Sequence, residues 1–172
     1  MDGWSHLKAQ MLPKSRMMHV RALILLAPLI YAAHIREEAP GYILWLNSVT
    51  NSRIVNDGHF FAGNLPSIAI TALIAVIAAV TLNRGALLAM LAWLSYFVFA
   101  NGIFHIVATA ILQRYSPGTI TAALLYLPYF AWFVRYMRTR VPVWAIAAVT
   151  LVFGMPMFIQ AYMIVFRATR FY

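Results

Sequence analysis

At 172 residues, 63% hydrophobic and only 10% charged, with a mean hydropathy of +0.78, the chain falls far outside the usage of soluble domains and reads as an integral membrane protein. Its net charge of +9 would suggest nucleic acid in a soluble protein, but here the basic residues punctuate apolar runs instead of forming one patch, so they read as topology signals and lipid headgroup contacts, and nucleic acid is excluded. There is no cysteine, which excludes disulfides, thiolate metal sites and cysteine nucleophiles and leaves only nitrogen and oxygen to hold any metal.

Residues 1–21 form a basic, Met-rich arm suited to the membrane interface, and 22–172 are predicted to form a single transmembrane helical domain. The arm and the apolar stretch behind it resemble a signal peptide, but no small-residue cleavage site follows, so the first helix is expected to be retained. The first span runs from about Met18 to Glu38, with Pro28 expected to bend it. Pro40-Gly41 ends that helix, and Tyr42 to Leu46 is too short to span, so it reads as a re-entrant or interfacial segment. Asn47 to His59 reads as a polar loop. Further spans are predicted over Leu65–Leu82, Ala86–Leu112, Pro117–Tyr136 and Pro142–Phe166. The expected fold is therefore all-α, a polytopic transmembrane helical bundle of about five spans. The distribution of Lys and Arg favours a cytoplasmic N-terminus, and a bacterial inner (plasma) membrane is the expected location.

The chain has four acidic residues, Asp2, Glu37, Glu38 and Asp57, and two of them stand side by side at the end of the first span. On a helix His34, Glu37 and Glu38 share a face, so one imidazole and two carboxylates can converge. Two adjacent carboxylates at membrane depth cannot both stay charged without a cation, a proton or an arginine such as Arg36 or Arg53. Asn101 and His105 are an i, i+4 pair in the third span, with His105 roughly 13 Å below Arg114 at ~1.5 Å per residue. With about five spans, both polar faces fall in the same leaflet and are expected to meet. A lone intramembrane Asn or His also serves simply as an interhelical hydrogen-bonding group, and a Glu pair also serves as a solvated helix end. His59, in the polar run, is added as a ligand candidate on topology alone.

The order His34-x-x-Glu37-Glu38, Asn101-x-x-x-His105, Tyr115-Ser116-Pro117-Gly118 resembles the HXXEE family, small polytopic membrane proteins that are largely uncharacterised. The resemblance implies an enzyme-like membrane protein with His34, Glu37, Glu38, Asn101 and His105 as its motif positions.

Three functions fit these residues. The first is a water-activating, hydrolase-like enzyme using a divalent metal, zinc or iron, with His34, Glu38, His59 and His105 as ligands. Glu37, Glu38 and Asn101 would be its catalytic groups, one glutamate acting as general base and the Asn101 amide holding a substrate oxygen. No further cofactor is expected, and the partner would be a membrane lipid or lipophilic small molecule, with a homo-oligomer left open. The second is a metal-free acid/base isomerase or cyclase of sterol- or terpene-like substrates. The third is a proton-coupled carrier, disfavoured by the absence of an internal repeat. Free backbone N–H groups at the helix start opened by Pro117-Gly118 are expected to face an anionic or polar headgroup at the pocket mouth.

Overall fold

The computed structural model describes residues 14–50 and 56–169, so most of the basic arm and Arg53 lie outside the described residues. Every regular element among them is helical: α1 (Lys14–Leu25), α2 (Ala27–Glu38), α3 (Tyr42–Thr50), α4 (Asp57–Thr81), α5 (Arg84–Leu94), α6 (Asn101–Leu112), α7 (Thr119–Thr121), α8 (Leu127–Met137) and α9 (Val143–Thr169). Two π-helical turns, Ser95–Ala100 and Ala122–Tyr126, join α5 to α6 and α7 to α8.

Four helical stretches are long and apolar enough to cross a membrane: Ser15–Glu38, Asp57–Thr81, Arg84–Leu112 and Val143–Phe166. The fourth predicted span is helical from Thr119 to Met137 but is not among these four. Tyr126, Tyr129, Tyr136 and Arg135 dilute its hydropathy, and its apolar face is spent inside the bundle, where Tyr126, Phe133 and Met137 are buried. The short segment after the first span is the helix α3, too short to cross a bilayer.

Local chemistry explains the breaks and ends. Pro28 lacks an N–H, which leaves the carbonyl of Ile24 without its helical partner, and the Tyr129 hydroxyl donates to that carbonyl at 3.3 Å. The Asn56 side chain caps α4, accepting from the His59 N–H at 3.0 Å, and Asn83 caps α5, accepting from the Ala86 N–H at 2.8 Å. His59, expected in a loop, thus stands in the first turn of α4, because Asn56 starts the helix earlier than hydropathy alone suggests.

α1 and α2 pack on α4, and α9 packs along α5, the first π-turn and α6. Gly154 of α9 lies against the first π-turn, where a Cβ would meet the Ser95 carbonyl and the Ala100 side chain. Further along, Ala161 and Val165 pack beside Phe104 and Ala108, so α9 runs parallel to the α5–α6 rod. Leu65, Leu73, Val80, Val152 and Ile159 remain exposed on the outside, an apolar surface suited to lipid.

Candidate functional site

The end of α2 and the middle of α6 meet at one point. His34 and Glu38 lie one turn apart on α2, His105 faces them from α6, and all three are buried, with exposures of 0%, 4% and 0%. Glu38 Oε1 lies 2.9 Å from His105 Nε2 and 3.6 Å from His34 Nε2, and one ligand atom from each residue lies within 4.8 Å of the others. Despite these short approaches neither Nε2 has a hydrogen bond of acceptable direction, so both are orphaned in a buried site.

The outer nitrogens are held. His34 Nδ1 lies 2.7 Å from Thr121 Oγ1, whose own proton points to Glu37 Oε2 at 2.5 Å. The threonine oxygen must therefore accept, which puts an imidazole proton on Nδ1; in the neutral tautomer the lone pair is then on Nε2, aimed at the cluster. His105 Nδ1 lies 2.9 Å from Ser116 Oγ, a fully buried hydroxyl. Tyr126, from the second π-turn, stacks on the His34 ring with centroids 4.1 Å apart. The two rings meet edge to face with centroids 5.0 Å apart, and Gly118, at φ +107°, lies against the Cε1 edges of both with backbone alone.

Glu37 has a different place from Glu38. Its Oε1 accepts from the N–H groups of Gly118 and Ile120, both at 3.1 Å, and from the Tyr115 hydroxyl, and its Oε2 accepts from the Thr121 N–H at 2.7 Å as well as the Thr121 hydroxyl. The backbone N–H groups expected to face a headgroup thus face the chain's own carboxylate, at the start of the Thr119–Met137 helix, where a negative charge is favoured. Partial burial first, then the neighbouring Glu37 carboxylate, push the Tyr115 phenol up to about 12, which keeps it a donor. Arg36 is exposed and, among the described residues, pairs with neither glutamate.

A cavity of about 450 Å³ opens beside the cluster, with Glu38 in its wall. Asn101 lines it, and among the described residues its amide has no hydrogen-bond partner. His59 also lines it, but its Nδ1 donates to Asn56 Oδ1 at 2.9 Å and it is not part of the three-residue cluster. Sequence reasoning missed the hydroxyl anchor Thr121, the stacking Tyr126 and the polar wall residues Tyr31, Asn64 and Gln160. Only a threonine among apolar residues hinted at Thr121. Ser116 and Gly118 were singled out as a motif, though not as supports of the two imidazoles.

The donor set suits a divalent cation. Two ligand atoms bound to a tetrahedral zinc at ~2.0–2.1 Å lie roughly 3.4 Å apart; the two separations from Glu38, 2.9 Å and 3.6 Å, bracket that value, and all three atoms lie within 4.8 Å of one another. Ligating imidazoles are usually oriented by a hydrogen bond behind them, most often to a carboxylate, carbonyl or water, and here two hydroxyls occupy that place.

No curated protein and no solved structure matches the chain. The family model described as "Protein of unknown function with HXXEE motif" matches residues 25–133, a stretch that holds His34, Glu37, Glu38, Asn101 and His105 as well as the anchors Ser116 and Thr121. More than half of the chain is thus covered, and the protein belongs to the HXXEE family.

Proposed function

We propose that this chain is a membrane-embedded enzyme in which His34, Glu38 and His105 hold one zinc or iron ion, and that it activates water against a lipophilic substrate lodged in the cavity beside Glu38. The basic residues around the first span support a cytoplasmic N-terminus for it. The observation that carries the reading is the pair of orphaned, buried Nε2 atoms converging with a carboxylate oxygen while both Nδ1 atoms are held by hydroxyls. A buried carboxylate beside two neutral imidazoles is one uncompensated negative charge, which a cation would offset.

A bound divalent ion supplies Lewis acidity to an oxygen of substrate or water. The chain's own residues do the rest. Thr121 and Glu37 keep the His34 proton on Nδ1. Glu38, the only carboxylate lining the cavity among the described residues, would ligate through Oε1, which faces both rings, and use its other oxygen to accept the proton released when water attacks. The Asn101 amide, free to hydrogen-bond, holds the substrate oxygen. Glu37, with both oxygens engaged by backbone and hydroxyl donors, supports the site from behind and takes no proton.

A second reading draws on the 2.9 Å approach of Glu38 to His105, which also suits a metal-free acid/base pair of an isomerase or cyclase. Elemental analysis of the detergent-purified chain separates the two. About one equivalent of zinc or iron, lost in His105→Ala, is expected. No metal after incubation with either ion would leave the metal-free reading in its place.

A further inference from the structure

Beside the polar cavity runs a second, larger space of about 820 Å³ between α5, the first π-turn and α9, lined by Ala92, Trp93, Val152, Phe153 and Pro156. Tyr96 and Phe97 line both spaces, so they form a shared wall. The two differ sharply in chemistry. The groove presents aliphatic and aromatic side chains, while the cavity presents Glu38, Asn64, Ser67, Asn101 and Gln160.

Their order along the chain is the same on both sides. On the α5–α6 rod the groove residues Ala89 to Phe97 precede the cavity residue Asn101, and on α9 Val152 to Pro156 precede Met157 and Gln160. Because these helices run parallel, apolar and polar spaces lie end to end. At ~1.5 Å per residue the stretch from Ala89 to Phe97 is about 12 Å long, and it begins about one turn inside Arg84. The groove wall is also braced: Trp93 donates through Nε1 to Thr71 Oγ1 at 2.8 Å and stacks on Phe97 with centroids 4.3 Å apart. An aromatic wall held from behind is suited to receiving a chain without reorganising.

The head of such a ligand is constrained by charge. Among the described residues lining the cavity there is no Lys or Arg, and every polar group other than Glu38 is an amide, hydroxyl, phenol or imidazole. With no Lys or Arg in that wall, the proposed ion is the one positive charge open to an anionic head, and Glu38 already offsets part of it, whereas a hydroxyl, ester or aldehyde finds donors and acceptors throughout the cavity.

We infer that the substrate is a single-chain amphiphile with an uncharged oxygen head group, its head in the cavity beside Glu38 and Asn101 and its tail in the groove between α5 and α9. This deepens the reading above and rests on its claim that the cavity receives substrate. Binding can be read without turnover. The full chain, reconstituted in phospholipid nanodiscs, is exposed to a long-chain alcohol carrying a diazirine on its tail and to the phosphate monoester of the same alcohol, and labelled positions are mapped by mass spectrometry. The alcohol is expected to label Trp93, Phe97 or Phe153 at least about tenfold more than the phosphate. Ala92→Phe, which fills the groove, and the milder Ala89→Leu at its edge should each reduce labelling while leaving metal content unchanged. Equal labelling by both probes, or labelling indifferent to both substitutions, would show ordinary lipid contact and overturn the inference. Metal content measured on the same samples keeps the two ideas apart. Metal without selective labelling sinks the amphiphile, and selective labelling without metal sinks the metal reading.

Discussion

Gly118 is pressed against His34: a Cβ on this residue would come within 2.8 Å of His34 Cε1, and within 3.0 Å of His105 Cε1 and Nδ1. Backbone here, not a side chain, packs against the Cε1 edges of the two imidazoles. At φ +107° an L side chain is strained as well as crowded. Gly118→Ala is therefore expected to push the rings apart, lowering metal occupancy below half and costing on the order of 1–3 kcal/mol in stability. Elemental analysis alongside thermal unfolding in detergent checks both effects, and full occupancy in the variant would contradict the role given to this contact.

The adjacent glutamates should separate cleanly on substitution. Glu38→Gln removes a charged ligand and is expected to abolish metal binding. Glu37→Gln turns an amide N–H toward groups that are themselves donors and should destabilise the fold by about 1–3 kcal/mol, with the ion retained at weaker affinity. Titration with zinc and a melting curve for each variant distinguish these outcomes. Indistinguishable behaviour of the pair would argue against separate jobs.

Thr121→Val keeps the shape of the side chain and removes the acceptor of His34 Nδ1–H. Its metal affinity should fall about 10–100-fold, and Ser116→Ala should do the same through His105. Competition with a chelator of known affinity measures this. Unchanged affinity in both variants would mean that the hydroxyls do not hold the rings.

Asn101→Ala should leave the ion in place, because the amide lines the cavity and, among the described residues, hydrogen-bonds to none of the three ligands. What it should weaken is capture of the uncharged-head probe, by about tenfold for one lost hydrogen bond near 1.4 kcal/mol. Loss of metal in this variant would contradict the separation between ligand and substrate residues.

Both imidazoles must be neutral at Nε2 and Glu38 ionised in order to ligate. Protons therefore compete with the cation, and apparent affinity should fall as pH falls and recover as it rises, with more than one proton taken up per ion released. A pH series of zinc titrations reads that stoichiometry from the slope. A flat profile would be incompatible with ligation by two histidines.

The helical class and most of the spans could be read from the sequence because each apolar run is long and bounded by Pro, Gly or Arg. His34 with Glu38, and Asn101 with His105, were legible because a spacing of four places side chains on one helix face. The support behind them was not, since Thr121 meets His34 across 87 positions and nothing in local spacing announces it. The division of labour between Glu37 and Glu38 was equally hidden: neighbours on a helix point about 100° apart, and only the position of the Thr119–Met137 helix decides which carboxylate it engages. His59 was drawn in by its polar neighbours, but the Asn56 cap holds its ring. Pro128 marked no visible break in the pattern, yet a π-turn precedes it and brings Tyr126 beneath His34.

The three candidate ligands all precede residue 106, whereas the groups that orient the two rings, Ser116 and Thr121, come later in the chain. A ribosome that has delivered α6 has thus supplied every candidate donor atom but neither hydroxyl anchor, nor the Gly118 backbone that packs on both rings. If the cluster holds the ion proposed above, its tightest binding would wait until the segment beginning at Ser116 has docked. Occupancy of the proposed site would then report that this later helix has been inserted in the correct place, and a chain stalled or clipped before it would scavenge metal poorly instead of carrying a half-built centre into the bilayer.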